Sequence, residues 1–192
     1  MNIISNNCAG AAIYKYVLNT EYQNPFIWCF TDLKALVTQF DSINWKSVKI
    51  YNEMSNLLGR WHLCIDNKVD MNFVHAYWDP SHETPCIDQW NVRYNRIWQY
   101  LIDKYVKRVN RMLDQKESPI YVVNIQTQSG VQLAEYMQSQ TNRLLIISPK
   151  QLYPNAHITY TPTPRVDPDN PISVVKELSN EIKLFLTNLE DR

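Results

Sequence analysis

Ile120-Tyr121-Val122-Val123-Asn124-Ile125 and Leu144-Leu145-Ile146-Ile147-Ser148, with the helical stretch Val131–Gln140 between them, decide the fold. A near-continuous apolar run of this length is what a strand covered on both faces requires, because a strand with one wet face alternates polar and apolar residues. Two such runs joined through a helix make a strand–helix–strand unit with parallel strands. Working outward, Asn2–Ser5 is a further short apolar strand, and Cys8–Leu18 is a helix directly behind it, with Ala12, Ile13, Tyr16 and Val17 on one stripe. The proline-rich stretch Pro154–Pro171 contains a short strand at His157–Thr161, and Ile172–Leu189 closes the chain as one amphipathic helix.

The middle of the chain is read in the same way. Asn24-Pro25 makes a turn before an apolar run, and Thr31-Asp32 caps a helix reaching Phe40. Lys46–Tyr51, Leu63–Ile65 and Met71–Tyr77 are strands, the last with the alternation of a half-buried strand, and Ile87–Gln115 is the longest helical pattern. Strands alternating with helices predict an α/β fold. The expectation is a single domain over residues 1–192, with a mostly parallel, Rossmann-like sheet of about five strands flanked by helices.

Composition narrows the chemistry. The 192 residues contain only Gly10, Gly59 and Gly130, where average usage would supply roughly thirteen glycines. Phosphate-cradling loops built on repeated glycines, and the Gly-x-Ser-x-Gly elbow of serine hydrolases, therefore cannot be written in this sequence. Nineteen acidic residues balance nineteen basic ones, so no long-range field draws the chain to nucleic acid. The N-terminal residues show no basic region followed by a long apolar stretch, and no run of about 18 apolar residues occurs. The expectation is a cytoplasmic protein with no transmembrane segment. Cys8, Cys29, Cys64 and Cys86 form no Cys-x-x-Cys pair, which argues against a structural metal site or a disulfide scaffold.

Cys8 is the leading candidate for chemistry, since it falls where the first strand hands over to the first helix, and ligands of open α/β sheets gather at the carboxyl ends of strands. Helix-end amides and the macrodipole are expected to stabilise a thiolate there and to lower its pKa from about 8.5 toward neutrality. Asn6 and Asn7 can cap the helix or donate to a developing oxyanion. Gly10 lets a ligand or a neighbouring strand approach the backbone closely. The structural alternative makes Asn7 a cap and Cys8 a small buried residue. Of His62, His75, His82 and His157, the candidate base is His75, near the end of a strand, with Asp79 to orient its ring. Trp90, Arg93 and Arg96 share one face near the start of the long helix, where guanidinium forks suit a carboxylate or phosphate and the indole can stack on a sugar or base. Lys104, Lys107, Arg108 and Arg111, farther along, read as solvated.

The run Ile3-Ile4-Ser5-Asn6-Asn7-Cys8-Ala9-Gly10, then Tyr14, Tyr22-Gln23-Asn24-Pro25-Phe26, and later His75, Trp90, Arg93 and Arg96-Ile97 resembles a bacterial family of exopolysaccharide biosynthesis proteins. Members open with Ser-Asn-Asn-Cys-Trp-Gly and carry a downstream His-Tyr and Trp-x-x-Arg-x-x-Arg. This chain departs in having Ala9 for the tryptophan and Ala76 between His75 and Tyr77. More distantly, the opening is similar to capsule-polysaccharide proteins that transfer acyl groups from coenzyme A, and to papain-like cysteine peptidases. The resemblance implies surface-polysaccharide assembly by an acyl (acetyl) transferase with a cysteine nucleophile. It would take a small-molecule or sugar substrate, coenzyme A as donor substrate and no tightly bound cofactor or metal. A cysteine peptidase, or a non-catalytic module binding a phosphorylated or acidic partner, is the alternative.

Overall fold

The computed structural model describes residues 1–22, 24–26, 29–53, 60–73, 103, 105–115 and 117–190. In chain order the first elements are β1 (Ile3–Ser5), α1 (Ala9–Ala12, continued by a π-helical stretch, Ile13–Leu18), β2 (Cys29–Thr31), α2 (Leu33–Gln39), β3 (Val48–Glu53), β4 (Arg60–Ile65) and β5 (Val69–Phe73). The remainder are α3 (residues 105–115), β6 (Ile120–Asn124), α4 (Gln128–Gln140), β7 (Leu144–Pro149), β8 (Ile158–Tyr160), α5 (Pro171–Glu177) and α6 (Ser179–Glu190).

The predicted runs are neighbours in one parallel sheet of order β1-β6-β7-β8, registered Ile3 to Ile120, Tyr121 to Leu144 and Ile147 to Ile158. Successive residues of each strand enter opposite cores, which is why these runs lack polar alternation. Ile3, Ile120, Val122, Leu145 and Ile147 pack under α1, α5 and α6. Ile4, Tyr121, Val123, Leu144 and Ile146 pack against α2, α3 and α4 through residues such as Leu36, Tyr105 and Met137. The α/β sheet flanked by helices is as expected, with four parallel strands.

The middle strands do not join that sheet. They form a second, antiparallel one of order β2-β5-β4-β3, whose Ile65 and Val69 share the core beneath α2 and α3. Asp66 (φ 53°) and Asn67 (φ 52°) turn the β4–β5 hairpin in successive left-handed conformations, a backbone that suits the twist of a tight hairpin. The closing helix is also two helices. It is interrupted at Leu178 (φ −94°, ψ 19°), and α5 starts from an Asn170 cap with Pro171 in its first turn. Both halves still face one core, through Val174 and Val175 and through Ile182, Leu186 and Leu189.

β1 is an edge strand of three residues, and its outer edge is sealed by side chains. The Ile3 amide donates to Tyr14 Oη at 2.8 Å, and Asn24 Nδ2 donates to the Ile3 carbonyl at 2.6 Å. Asn24 Nδ2 also lies 2.8 Å from Asn2 Oδ1 and 3.1 Å from Tyr14 Oη, while its Oδ1 accepts from the Phe26 amide at 3.0 Å. Tyr14, Asn24 and Phe26, three residues of the resemblance motif, are thus a buried bracket on β1. Burial holds the Tyr14 hydroxyl well above the usual phenol pKa, so it stays protonated and donates to the Met1 carbonyl.

Candidate functional site

The connections after β1 and β6 leave the sheet on opposite faces, α1 on one side and α4 on the other. Two adjacent parallel strands diverging in this way open a crevice beyond their carboxyl ends. A cavity of about 270 Å³ lies there. Asn6 from the end of β1 and Asn124, Gln126 and Thr127 from the end of β6 line it, together with Ser129, Gly130 and Leu133 of α4 and Thr31 of β2.

The turn from β1 into α1 is held to β6 from both sides. Asn6 mimics a further rung of the ladder: its Oδ1 accepts from the Asn124 amide at 3.0 Å and its Nδ2 donates to the Asn124 carbonyl at 3.2 Å. Asn7 Oδ1 accepts from the Ala9 amide at 3.0 Å, and its Nδ2 donates to Gln126 Oε1 at 3.2 Å. Gln126 Nε2 in turn donates to the Pro168 carbonyl at 2.9 Å, so one glutamine ties the cysteine turn to the segment before α5. Ser5 Oγ donates to the Asn7 carbonyl and accepts from the Gly10 amide at 2.8 Å.

These bonds give the four described candidates definite places. Asn6 and Asn7 are clamps on β6 and the α1 start. Gly10 is buried with Ser5 over its Cα, so the neighbour that needs its missing side chain is the strand. Cys8 is half-buried at the head of α1, and its carbonyl accepts the Ala12 amide at 3.1 Å. The expected depression of its pKa is reversed: burial pushes the Cys8 thiol up. Desolvation acts on the whole thiolate charge, while the helix end offers only partial charges, and α1 proper has just four residues before its hydrogen bonding widens. Ala9, where the family that the opening resembles has tryptophan, is fully buried in the core shared with Val174, Val175 and Ile182, a position where an indole would overpack it.

A pH dependence follows. Because the folded thiol is raised, alkylation of Cys8 by iodoacetamide is expected to be slow at pH 7 and to climb with pH through a midpoint above the ordinary thiol value of about 8.5. Peptide-mapped alkylation rates from pH 6 to 10 measure this. A rate already at its plateau near neutrality would show an activated thiolate instead.

His75, Asp79, Trp90, Arg93 and Arg96 lie outside the described residues. His157 is described and is occupied: its Nδ1 accepts from the Ile146 amide at 3.0 Å, its ring packs 5.0 Å from Phe185, and burial lowers its pKa. Arg108 and Arg111, expected to be solvated, instead border a groove of about 700 Å³ with Lys15, Tyr22 and Lys107. Arg108 is buried over the Tyr22 ring at 5.2 Å. Arg111 binds the Tyr22 carbonyl at 3.1 Å and Glu21 at 2.6 Å. Both serve to pin the Glu21–Tyr22 segment to α3.

The sequence reading passed over Thr31, Asn124, Gln126, Ser129 and Gly130. One signal was available: Asn124 is the polar residue at the end of an otherwise apolar buried strand, where a carboxamide has to answer to something. Among the described residues no cluster of metal-ligating side chains occurs, and no helix is long and apolar enough to cross a membrane. Comparison of the chain with family models, with curated proteins and with solved structures finds no match.

Proposed function

We propose that this protein is a surface-polysaccharide acyltransferase that works through Cys8. The observation that carries this reading is the clamped turn: Ser5, Asn6 and Asn7 hold Cys8 at the head of α1, in the turn whose Asn6 lines the crevice beyond β1 and β6. A raised thiol rests protonated and needs a base, the role that its place near the end of a strand in the sequence suggests for His75, with Asp79 to orient its ring. In the first step Cys8 Sγ bonds to the carbonyl carbon of an acyl-coenzyme A while its proton passes to His75. The bond to the coenzyme sulfur breaks, and that thiolate takes the proton. In the second step an acceptor hydroxyl attacks the Cys8 thioester, gives its proton to His75, and Cys8 leaves as the thiol. Arg93 and Arg96 would hold the phosphates of the donor, with Trp90 beside them to stack on its sugar or base.

The non-catalytic binding module is favoured by two observations: the raised thiol, and the engagement of Asn6 and Asn7 in structural bonds. One experiment separates the readings. Incubation with acetyl-coenzyme A followed by acid quench and peptide mapping is expected to find a hydroxylamine-labile acetyl group on the Cys8 peptide. The adduct should be absent from Cys8→Ala and strongly reduced in His75→Ala. A folded protein that gains no adduct at any pH up to 9 overturns acyl transfer and leaves the module.

A further inference from the structure

The groove of about 700 Å³ opens at the end of the first helix away from Cys8, between two segments remote in sequence. Asn19, in a left-handed conformation (φ 50°), ends the π-helical stretch and turns the chain so that residues 19–22 form one wall, with Lys15 on the last turn before it. The other wall is α3, which brings Lys107, Arg108 and Arg111. Four of the described lining residues are therefore cations and one, Glu21, is an acid, in a chain whose nineteen basic and nineteen acidic residues balance. A concave wall of one sign concentrates potential and draws anions.

Pinning the Glu21–Tyr22 segment accounts for Arg108 and for part of Arg111, but not for the lysines. Lys15 and Lys107 are exposed, and among the described residues neither pairs with a carboxylate. Lys107 and Arg111 stand four residues apart on α3, with Arg108 three before Arg111, a like-charge spacing that costs a helix stability. Glu21 offsets one of these charges. Its carboxylate lies 2.6 Å from Arg111 Nη2 although the side chain is 76% exposed, while Arg111 Nη1 donates to the Tyr22 carbonyl at 3.1 Å. An exposed pair of this kind contributes little, so a ligand with more negative charge exchanges for it readily.

From these observations we infer that the groove binds the diphosphate group of a small molecule. Lys15 and Lys107 meet it from the two walls as point charges, and Arg111 exchanges Glu21 for it. Arg108 adds its charge without leaving the Tyr22 ring, 5.2 Å away. Four cations against one acid exceed what a single phosphate neutralises, about two charges at pH 7, and suit a diphosphate. The volume falls in the range of small-molecule sites, about 300–1,000 Å³, and a chain without net charge has no long-range field for a nucleic acid. Among the described lining residues only Tyr22 is aromatic, and its ring is taken by Arg108 and by Tyr14, 6.2 Å away, so recognition rests on the diphosphate and not on a base. The inference uses no step of the acyl-transfer reading.

Isothermal titration of the full chain at low ionic strength with inorganic diphosphate, uridine diphosphate and inorganic phosphate tests the inference. The two diphosphates are expected to bind saturably and within about threefold of each other, and inorganic phosphate about tenfold more weakly. Lys15→Ala and Lys107→Ala should each weaken both diphosphates about fivefold, and because both lysines are exposed the variants should keep the melting temperature of the parent. Glu21→Gln should tighten binding about threefold, since it removes the competing carboxylate; a purely structural ion pair predicts no gain. The inference is overturned if inorganic diphosphate gives no saturable heat, or if both lysine variants bind as the parent does. Binding of phosphatidylglycerol vesicles that inorganic diphosphate fails to displace would make the groove a membrane contact and overturn it as well.

Discussion

Asn24→Ala is expected to lower the stability of this protein by about 3–5 kcal/mol, the range of a broken buried polar network. Asn24 is fully buried, and its carboxamide answers the outward carbonyl of Ile3, the Asn2 side chain and the Phe26 amide together. Truncation leaves an edge-strand carbonyl and an amide in the interior with no partner, each worth about 1–3 kcal/mol, and the losses add incompletely because they share one site. For a chain of this size the melting temperature should fall by roughly 10 °C. Tyr14→Phe removes the acceptor of the Ile3 amide, together with one of the contacts of Asn24 Nδ2 and the donor to the Met1 carbonyl, and should lose about 1–3 kcal/mol. Urea denaturation of the parent and both variants measures these differences. A change below about 0.5 kcal/mol for Asn24→Ala, the level of an ordinary surface substitution, would mean that β1 holds its edge without the bracket.

Gly10→Ala is expected to destabilise the protein by about 1–3 kcal/mol, against a helix-propensity gain of up to about 1 kcal/mol that the same change would bring in an open helix. A Cβ on residue 10 would stand 2.7 Å from Ser5 Oγ and 3.3 Å from Ser5 Cβ. The serine is short and cannot swing away, because its hydroxyl is held between the Gly10 amide and the Asn7 carbonyl. Relief therefore has to come from moving α1 off β1, which shifts Cys8 as well. The cycle with Ser5→Ala isolates the contact: the double variant should be less destabilised than the sum of the single ones, since removing the hydroxyl removes the closest clash. Strict additivity would locate the penalty elsewhere.

The two glycines that the structure describes do the same work on the two faces of the sheet. Gly10 admits Ser5 beneath α1, and Gly130 admits Ile125 beneath α4, so both helices that flank the crevice rest directly on the strands they follow. The glycine count rightly removes the looped phosphate cradles, because those need several glycines in succession. It does not remove an anion site built from cationic side chains, which needs no glycine.

The parallel sheet was legible because a strand buried on both faces has to be apolar throughout, and Ile3-Ile4, Ile120–Val123 and Leu144–Ile147 have few other ways to be satisfied. The antiparallel sheet was less so. Alternation in Met71–Phe73 marks a strand but not its partner, and pairing with Cys29–Thr31 joins residues about forty apart in sequence. Its one local sign was Asp66-Asn67, two residues that tolerate left-handed backbone, set between two strands. The break at Leu178 had no local sign, because the apolar period runs through it.

At the site, sequence by itself determined that Cys8 follows the first strand at the head of a helix, since the strand signal, the asparagines and the helical stripe are all local. Tertiary structure decided what that position means. The direction of the thiol shift depends on how much chain covers it, and the duties of Asn6 and Asn7 depend on Asn124 and Gln126, more than a hundred residues away. The same holds for the crevice. It exists because β1 and β6 are neighbours whose helices leave on opposite faces, a relation between segments that no window of sequence contains.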